Sequence, residues 1–220
     1  MTSPCTSPNR LRLAAIGISS AASGNRLANF QLDYLVSRGL KPHHLLLDLG
    51  CGSLRGGVRF VAYLDPGHYY GVDLNQPLLD VGYDKEIVPA GLGGRLPREN
   101  LRCIGDFGIG RIGVRFDFLI AQSVFTHIRF ERVRECLTKV ASTVEPGCLF
   151  FATYWRIPED YPDDLEFKHP HGVVTHPRKN SFHYKFSALV QAAAGLPWGI
   201  EDVGEWNHPR DQQMVVFKRR

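Results

Sequence analysis

The sequence lacks several features that would fix its class at once. No segment has the roughly 18 consecutive apolar residues of a membrane-spanning helix, and the opening residues, MTSPCTSPNR, have no apolar signal region. Cysteine is scarce: the five residues lie far apart and form no C-x-x-C pair, which disfavours a cysteine zinc site and favours a reduced chain. We therefore expect a cytoplasmic protein without a membrane segment.

Neither sign of charge dominates. The 26 Lys and Arg residues against 22 Asp and Glu give a net charge of +4, and only Lys218, Arg219 and Arg220 form a cluster. This cluster fits a solvated chain end better than a nucleic-acid contact. Hydrophobic residues make up 44% of the 220 residues, which is enough for the core of one ordinary domain.

Short apolar runs alternate with helical periodicity along most of the chain. Strands are predicted at 44–49, 69–72, 101–104, 116–121 and 148–154, and a final pair at 199–203 and 213–218 lies too close together for a crossover helix. The order predicts an α/β protein, a single-domain doubly wound sheet in which the last two strands pair antiparallel. We expect a loose N-terminal segment at 1–24, a domain at 25–220, and a long variable loop at about 155–184, where four prolines break the alternation.

The most informative stretch is LLLDLGCGSLRGG, residues 45–57. A buried strand ends near Asp48, Gly50 and Gly52 follow, and a helix is predicted to begin. Glycines allow a tight turn and close approach of the backbone to a ligand, while the N–H groups of the helix start point into the same space. A tight turn that binds nothing is the alternative.

Two further acidic residues follow the next two predicted strands. Asp73 could accept two hydrogen bonds from a ribose diol. Asp106 could accept one from the exocyclic amine of adenine, with Phe107 against the ring; a helix N-cap is its structural alternative. Since ligands bind at the carboxyl ends of neighbouring parallel strands, these acids predict a nucleoside site.

The glycine spacing and the charge of this stretch discriminate between nucleotides. Dehydrogenases use G-x-G-x-x-G, whereas this chain has Gly50-x-Gly52-x-x-x-Gly56 with Arg55 inside it. Asp48 would repel a pyrophosphate but suits a ligand with an ammonium and a sulfonium group. S-adenosylmethionine fits this pattern of charge, and NAD does not.

From Gly39 to Phe217 the chain resembles the class I S-adenosylmethionine-dependent methyltransferases. Segments 48–52, 105–107, 121–123 and 145–147, together with Asp73, match the family's motifs. Leu54 departs from them, because many members have a third glycine there. The resemblance implies a Rossmann-like sheet of seven strands with the last antiparallel, S-adenosylmethionine as cofactor, and methyl transfer. The implied cofactor-binding residues are Asp48, Gly50, Cys51, Gly52, Arg55, Asp73, Leu74, Asp106, Phe107, Gln122 and Ser123.

The methyl acceptor is less constrained. The segment AQSVFTHI after the fourth strand lacks the D/N-P-P-Y/F motif, which disfavours methylation of DNA bases, and we expect an O or N atom of a small molecule to be methylated. His127, Tyr154 and His183 are the candidate catalytic bases, and no metal site is expected. An RNA methyltransferase and a non-methylating, NAD-binding protein remain alternatives, and a homodimer is left open.

Overall fold

The computed structural model describes residues 21–220. Its helices are α1 (Ala21–Ser37), α2 (Gly57–Tyr63), α3 (Gln76–Gly82), α4 (Phe130–Ala141) and α5 (Phe186–Ala193). Its strands are β1 (Leu46–Leu49), β2 (Tyr69–Asp73), β3 (Leu101–Cys103), β4 (Phe116–Ala121), β5 (Val144–Arg156), β6 (Phe167–Lys168), β7 (Val174–Thr175), β8 (His183–Tyr184), β9 (Trp198–Gly204) and β10 (Gln213–Arg219). The described chain forms two compact units, one of residues 21–44 and 51–105 and one of residues 45–50 and 106–220.

In the first unit β2 and β3 run parallel, with Gly71 opposite Leu101 and Asp73 opposite Cys103. Helix α3 begins where the sequence indicates, because the Leu78 N–H donates to the side-chain oxygen of Asn75 at 3.2 Å and Pro77 occupies the first turn. A π-helical turn, Tyr83–Ile87, continues α3. The core of this unit includes Leu35, Phe60, Val61, Tyr69, Val72, Leu79 and Ile87.

The second unit has the strand order β1-β4-β5-β10-β9. Strands β1, β4 and β5 are parallel, and β10 is antiparallel to both β5 and β9, so the expected pairing of the last two strands is confirmed. Its core includes Leu47, Phe116, Leu119, Phe150, Phe151, Val216 and Phe217. The apolar runs of the sequence therefore lie on central strands, as fully buried parallel strands require.

Strand β5 differs from its expected bounds. The sequence places a turn at Pro146-Gly147 and a strand from 148, whereas β5 begins at Val144 and contains both residues. The pairing with β4 is irregular there: Phe116 lies opposite Val144 and Phe118 opposite Leu149. Gly147, with φ +94°, lies within this bulge, so the turn residues loop out of the strand without ending it.

The variable segment has secondary structure of its own. Strands β6 and β7 form a short antiparallel pair. Strand β8 pairs in parallel with β5, with His183 opposite Trp155, beyond the point where β4 ends opposite Ala152. The segment predicted as a loop thus returns beside β5 next to the carboxyl end of β4.

Three observations concern the remaining expectations. Helix α1 begins at Ala21, four residues before the expected domain start, and residues 1–20 of the expected loose segment lie outside the described part of the chain. Among residues 21–220, no helix has the length and apolar character that a membrane crossing requires. Cys136 and Cys148 are buried and take part in no disulfide.

Candidate functional site

The turn after β1 depends on a glycine at position 50. Gly50 has φ +76°, a left-handed conformation that L side chains rarely adopt. A Cβ atom built there would lie 2.5 Å from Cγ2 of Val124, in the segment after β4. The positive φ and the short distance to Val124 both require a residue without a side chain at position 50. Asp48, two residues earlier, is only 6% exposed and pairs with Ile120 of β4.

The departure from the family pattern at Leu54 has a structural explanation. Leu54 has φ +59°, so its backbone takes the left-handed conformation that a glycine would favour. Its side chain is fully buried, which offsets the backbone strain. Gly57 has no side chain and so leaves space for the Leu54 side chain, because a Cβ there would lie 3.2 Å from Cδ2 of Leu54 and 2.4 Å from the hydroxyl of Tyr69. The loop thus turns without the third glycine.

Asp73 lies at the end of β2 and is held by backbone donors. The Gly52 N–H donates to its Oδ2 at 3.0 Å, and the Asn75 N–H donates to its Oδ1 at 3.0 Å. Partial burial raises the pKa of this carboxyl, and the hydrogen bonds from the backbone counteract part of that effect. A backbone hydrogen bond from Leu74 reaches the same carboxylate. Because its two oxygens have about four lone pairs between them, the carboxylate can still accept a hydrogen bond from a hydroxyl group.

The residue after this acid presents an apolar surface. Leu74 is 72% exposed, the most exposed large hydrophobic side chain among the described residues. Gly105, after β3, lies behind it, since a Cβ there would be 3.8 Å from Cβ of Leu74. An exposed leucine beside a carboxylate suits a ligand that combines a flat ring with a sugar. Arg55, in the glycine loop, is exposed.

Asp106 has a strong partner within its own unit. Arg111 donates to both of its carboxylate oxygens, at 2.6 and 3.0 Å, and the Gly108 N–H donates at 3.1 Å. The hydrogen bonds from Arg111 hold the pKa of this exposed carboxyl far below its usual range. The expected contact with an adenine amine would therefore compete with a two-pronged ion pair. The ring of Phe107 is 7% exposed, and the guanidinium of Arg132 lies 4.6 Å from its centroid.

Gln122 and Ser123, directly after β4, lie in a buried polar cluster. The Gln122 amide nitrogen lies 3.2 Å from Oε1 of Gln212 and 3.0 Å from Nε2 of His208. The Ser123 N–H donates to the hydroxyl of Thr153 at 2.7 Å. Oε1 of Gln122 is buried and has no hydrogen-bond partner among the described residues.

Three members of this cluster were not predicted as site residues. Thr153, His208 and Gln212 are 0%, 6% and 4% exposed. Burial, the larger effect, and the nearby charge of Arg210 lower the pKa of His208 to about 4. In the sequence a signal existed in the run NHPRDQQ, where polar residues directly precede a buried strand, but only the fold shows what they contact.

The three candidate bases have different surroundings. His127 is exposed, with its Nδ1 2.6 Å from Oδ1 of Asn180. Tyr154 has no exposed surface, and its hydroxyl has no partner among the described residues; burial raises its pKa. His183 is 5% exposed, with Nδ1 2.8 Å from the Thr175 hydroxyl and a buried Nε2 without a described partner. Burial lowers the pKa of His183.

The histidines of the variable segment differ in their exposure and in their contacts. His169 is 4% exposed, contacts the ring of Trp155 at 4.6 Å between centroids, and bonds through Nε2 to the Thr175 hydroxyl at 3.0 Å. Nδ1 of His171 is hydrogen-bonded to the carboxylate of Asp211. No group of three or more His, Cys, Asp or Glu side chains within residues 21–220 is arranged to hold a metal ion.

Solved structures share this fold. No protein family model matches the chain. Magnesium protoporphyrin IX methyltransferase from Synechocystis PCC 6803, with bound S-adenosylhomocysteine (SAH), superposes with a TM-score of 0.64 at 14% identity, over 90% of this chain and 84% of that one. The CcbJ methyltransferase from Streptomyces caelestis gives 0.62 at 14% identity over 92% and 99%. An S-adenosylmethionine-dependent methyltransferase from Clostridium acetobutylicum gives 0.61 at 15% over 87% and 89%.

These superpositions cover most of every chain compared. The chain therefore has the Rossmann-like α/β fold of the S-adenosylmethionine-dependent methyltransferases, and the fold expected from the sequence is confirmed.

Proposed function

We propose that this protein transfers a methyl group from S-adenosylmethionine to an oxygen or nitrogen atom of a small-molecule acceptor. The observation that carries the proposal is the Asp73 carboxylate at the end of β2, which two backbone N–H groups hold at 3.0 Å each. A carboxylate at this position of a Rossmann-like sheet accepts hydrogen bonds from a ribose diol. The fold supports the same proposal, since the Synechocystis structure of this fold has SAH bound.

The residues present fit the donor. Leu74, 72% exposed, offers an apolar face for adenine. The buried Asp48 suits a cationic ligand better than a pyrophosphate. Oε1 of Gln122, buried and without a described partner, can accept a hydrogen bond from a ligand. The other residues that we propose to bind the donor are Gly50, Cys51, Gly52, Arg55, Asp106, Phe107 and Ser123.

The chain's task in this reaction is alignment. S-adenosylmethionine supplies an activated methyl group on its sulfonium. The protein must hold the acceptor atom in line and exclude water, which can contribute ~7–11 kcal/mol of barrier lowering. We propose that the variable segment at about 155–184, which returns to β5 at β8, shapes the acceptor side.

Among the three candidate bases His183 fits best. A base is needed only for an acceptor that keeps its proton at neutral pH. Burial lowers the pKa of His183, so its imidazole is unprotonated at pH 7, and its Nε2, which has no partner among the described residues, is available to accept a proton. The Tyr154 phenol is fully buried with a raised pKa and stays protonated. His127 is exposed and hydrogen-bonded to Asn180, which favours a role in holding the loop after β4.

Calorimetry with three ligands tests the proposal. We expect S-adenosylmethionine and SAH to bind the purified protein and NAD to give no heat of binding. Binding of NAD alone would contradict the interpretation of Asp48, and the protein would then be an NAD-binding protein without methyl transfer. Transfer of a labelled methyl group to a panel of hydroxyl and amine acceptors then tests the reaction.

We propose a cytoplasmic protein with a small-molecule acceptor and no nucleic-acid partner. The absence of a nucleic-acid partner is supported by the charge pattern, because the positive charges of the C-terminus form only a short cluster. An RNA methyltransferase would bind RNA with an affinity that falls steeply with salt. Absence of RNA binding at low salt would remove that alternative.

A further inference from the structure

The polar cluster after β4 is organised around one side chain, Gln212. Its Oε1 accepts from the hydroxyls of Thr153 and Ser123 at 2.7 and 2.9 Å and lies 3.2 Å from the amide nitrogen of Gln122. The Trp206 indole N–H fixes the backbone carbonyl of Gln212 at 2.8 Å. Gln212 thus lies between the strand β5, which contains Thr153, and the segment that follows β4.

The segment after β4 needs this support. Ser123 has φ +58°, a left-handed conformation that is unfavourable for a residue with a side chain. Its N–H donates to the Thr153 hydroxyl at 2.7 Å, and its carbonyl accepts from the Thr126 hydroxyl at 2.7 Å. Through Thr153, Gln212 therefore stabilises the backbone beside Gln122.

The same contacts leave one end of the Gln122 amide without a partner. Its nitrogen end donates to Oε1 of Gln212 and to the hydroxyl of Ser123, whereas Oε1 is buried and has no partner among the described residues. Buried polar atoms without a partner are rare and costly in folded proteins. An acceptor atom that neighbouring side chains hold without a partner is a candidate to accept a hydrogen bond from a ligand.

We propose that Gln212 and Thr153 are positioning residues: they hold the Gln122 amide so that its free end meets the amino-acid end of bound S-adenosylmethionine. This inference rests on the proposed function and adds the segment before β10 to the donor site. The amino-acid end has an ammonium and a carboxylate group, and hydrogen bonds to charged groups are stronger than those between neutral groups.

Two ligands separate this role from a general effect on the fold. SAH contains the amino-acid end, and 5′-methylthioadenosine lacks it. Calorimetry of both ligands would be carried out on the wild type, Gln122→Ala, Gln212→Leu and the double variant. Gln213→Leu is the matched control, because the same change is made one residue later, in β10, where Gln213 pairs with Tyr154.

The proposal predicts a specific pattern. Gln122→Ala and Gln212→Leu each weaken SAH binding about tenfold, as expected for a hydrogen bond to a charged group. The double variant has the same SAH affinity as the single variant that binds SAH less tightly. Affinity for 5′-methylthioadenosine stays unchanged in all of them, and Gln213→Leu binds both ligands as the wild type does. Gln212→Glu, which keeps an accepting oxygen, restores most of the SAH affinity.

Other results would overturn the proposal. Wild-type SAH affinity in folded Gln212→Leu, additive losses in the double variant, or equal losses for both ligands each contradict it. If Gln212→Leu does not fold, Thr153→Val, which removes the hydroxyl at nearly constant volume, takes its place with the same expected pattern. Failure of the wild type to bind SAH would instead contradict the proposed function itself.

Discussion

Replacement of Asp73 by alanine removes the acceptor that we assign to the donor's ribose. The carboxylate accepts from the N–H groups of Gly52 and Asn75 at 3.0 Å, and it has lone pairs left for a hydroxyl donor. Loss of a buried acceptor costs about 1–3 kcal/mol, which corresponds to a roughly 5- to 150-fold weaker affinity. We expect calorimetry with SAH to show a loss in this range for Asp73→Ala.

The control for this experiment lies on the following helix. Asp80 is exposed on α3, where it accepts a hydrogen bond from Gln76 at 2.9 Å, and Asp80→Ala should bind SAH as the wild type does. Thermal unfolding checks that both variants fold. Asp73→Ala leaves the N–H groups of Gly52 and Asn75 without this acceptor, so some loss of stability is expected, and binding is compared at a temperature at which both variants are folded. A folded Asp73→Ala variant with unchanged SAH affinity would refute the assignment.

The same carboxylate predicts a dependence on pH. Its pKa in the folded protein is raised above 3.8 by burial, so the contribution of this carboxyl to the free energy of unfolding increases as pH falls through the folded pKa. Hydroxyl donors bind the ionised form, so SAH affinity should decrease over the same interval. Asp73→Asn lacks both contributions, so the unfolding free energy of the wild type relative to this variant should increase as pH falls. A decrease in that difference would contradict this reasoning.

Three further outcomes are expected. Gly50→Ala should lower the free energy of unfolding in urea titrations, because its Cβ would lie 2.5 Å from Cγ2 of Val124 at φ +76°; an unchanged midpoint would contradict the steric argument. Leu54→Gly should also destabilise, since the loss of a fully buried leucine, about 2–5 kcal/mol, exceeds the left-handed strain relieved, about 1–2 kcal/mol; a gain in stability would reverse that ranking. The pKa of His208 is lowered from 6.5 to about 4, so the wild type should lose unfolding free energy as pH falls from 6.5 towards 4, and His208→Gln should lose less of it.

Much of the fold is local in origin and was predictable from the sequence. β4 occupies the residues that the apolar run FDFLIA indicates, and α3 begins after the Asn75 cap. Such features depend on residues within a few positions of one another, which is the range over which hydrophobic periodicity and capping act.

The features that sequence reasoning missed depend on distant contacts. Gln122 and Gln212 are 90 positions apart, and no local pattern indicates that their side chains meet. The register shift in β5 arises from its pairing with β4, so a turn signal at Pro146-Gly147 could not show that the strand continues. The ion pair between Asp106 and Arg111 is an exception, because the two residues lie only five positions apart and the conformation of the turn between them decides whether they meet.

The return of the chain at β8 has a consequence for how acceptor preference can change. The variable segment leaves the sheet after Arg156 and comes back beside it, where His183 and Tyr184 pair with Trp155 and Arg156 and the Ile157 N–H donates to the Tyr184 carbonyl at 3.1 Å. The segment between these two attachments is therefore anchored to β5 at both ends, and within it the ring of His169 packs against that of Trp155. If this segment shapes the acceptor side as we propose, exchanges of the hairpin of β6 and β7 that keep His169 should alter acceptor preference while β5 retains its packing.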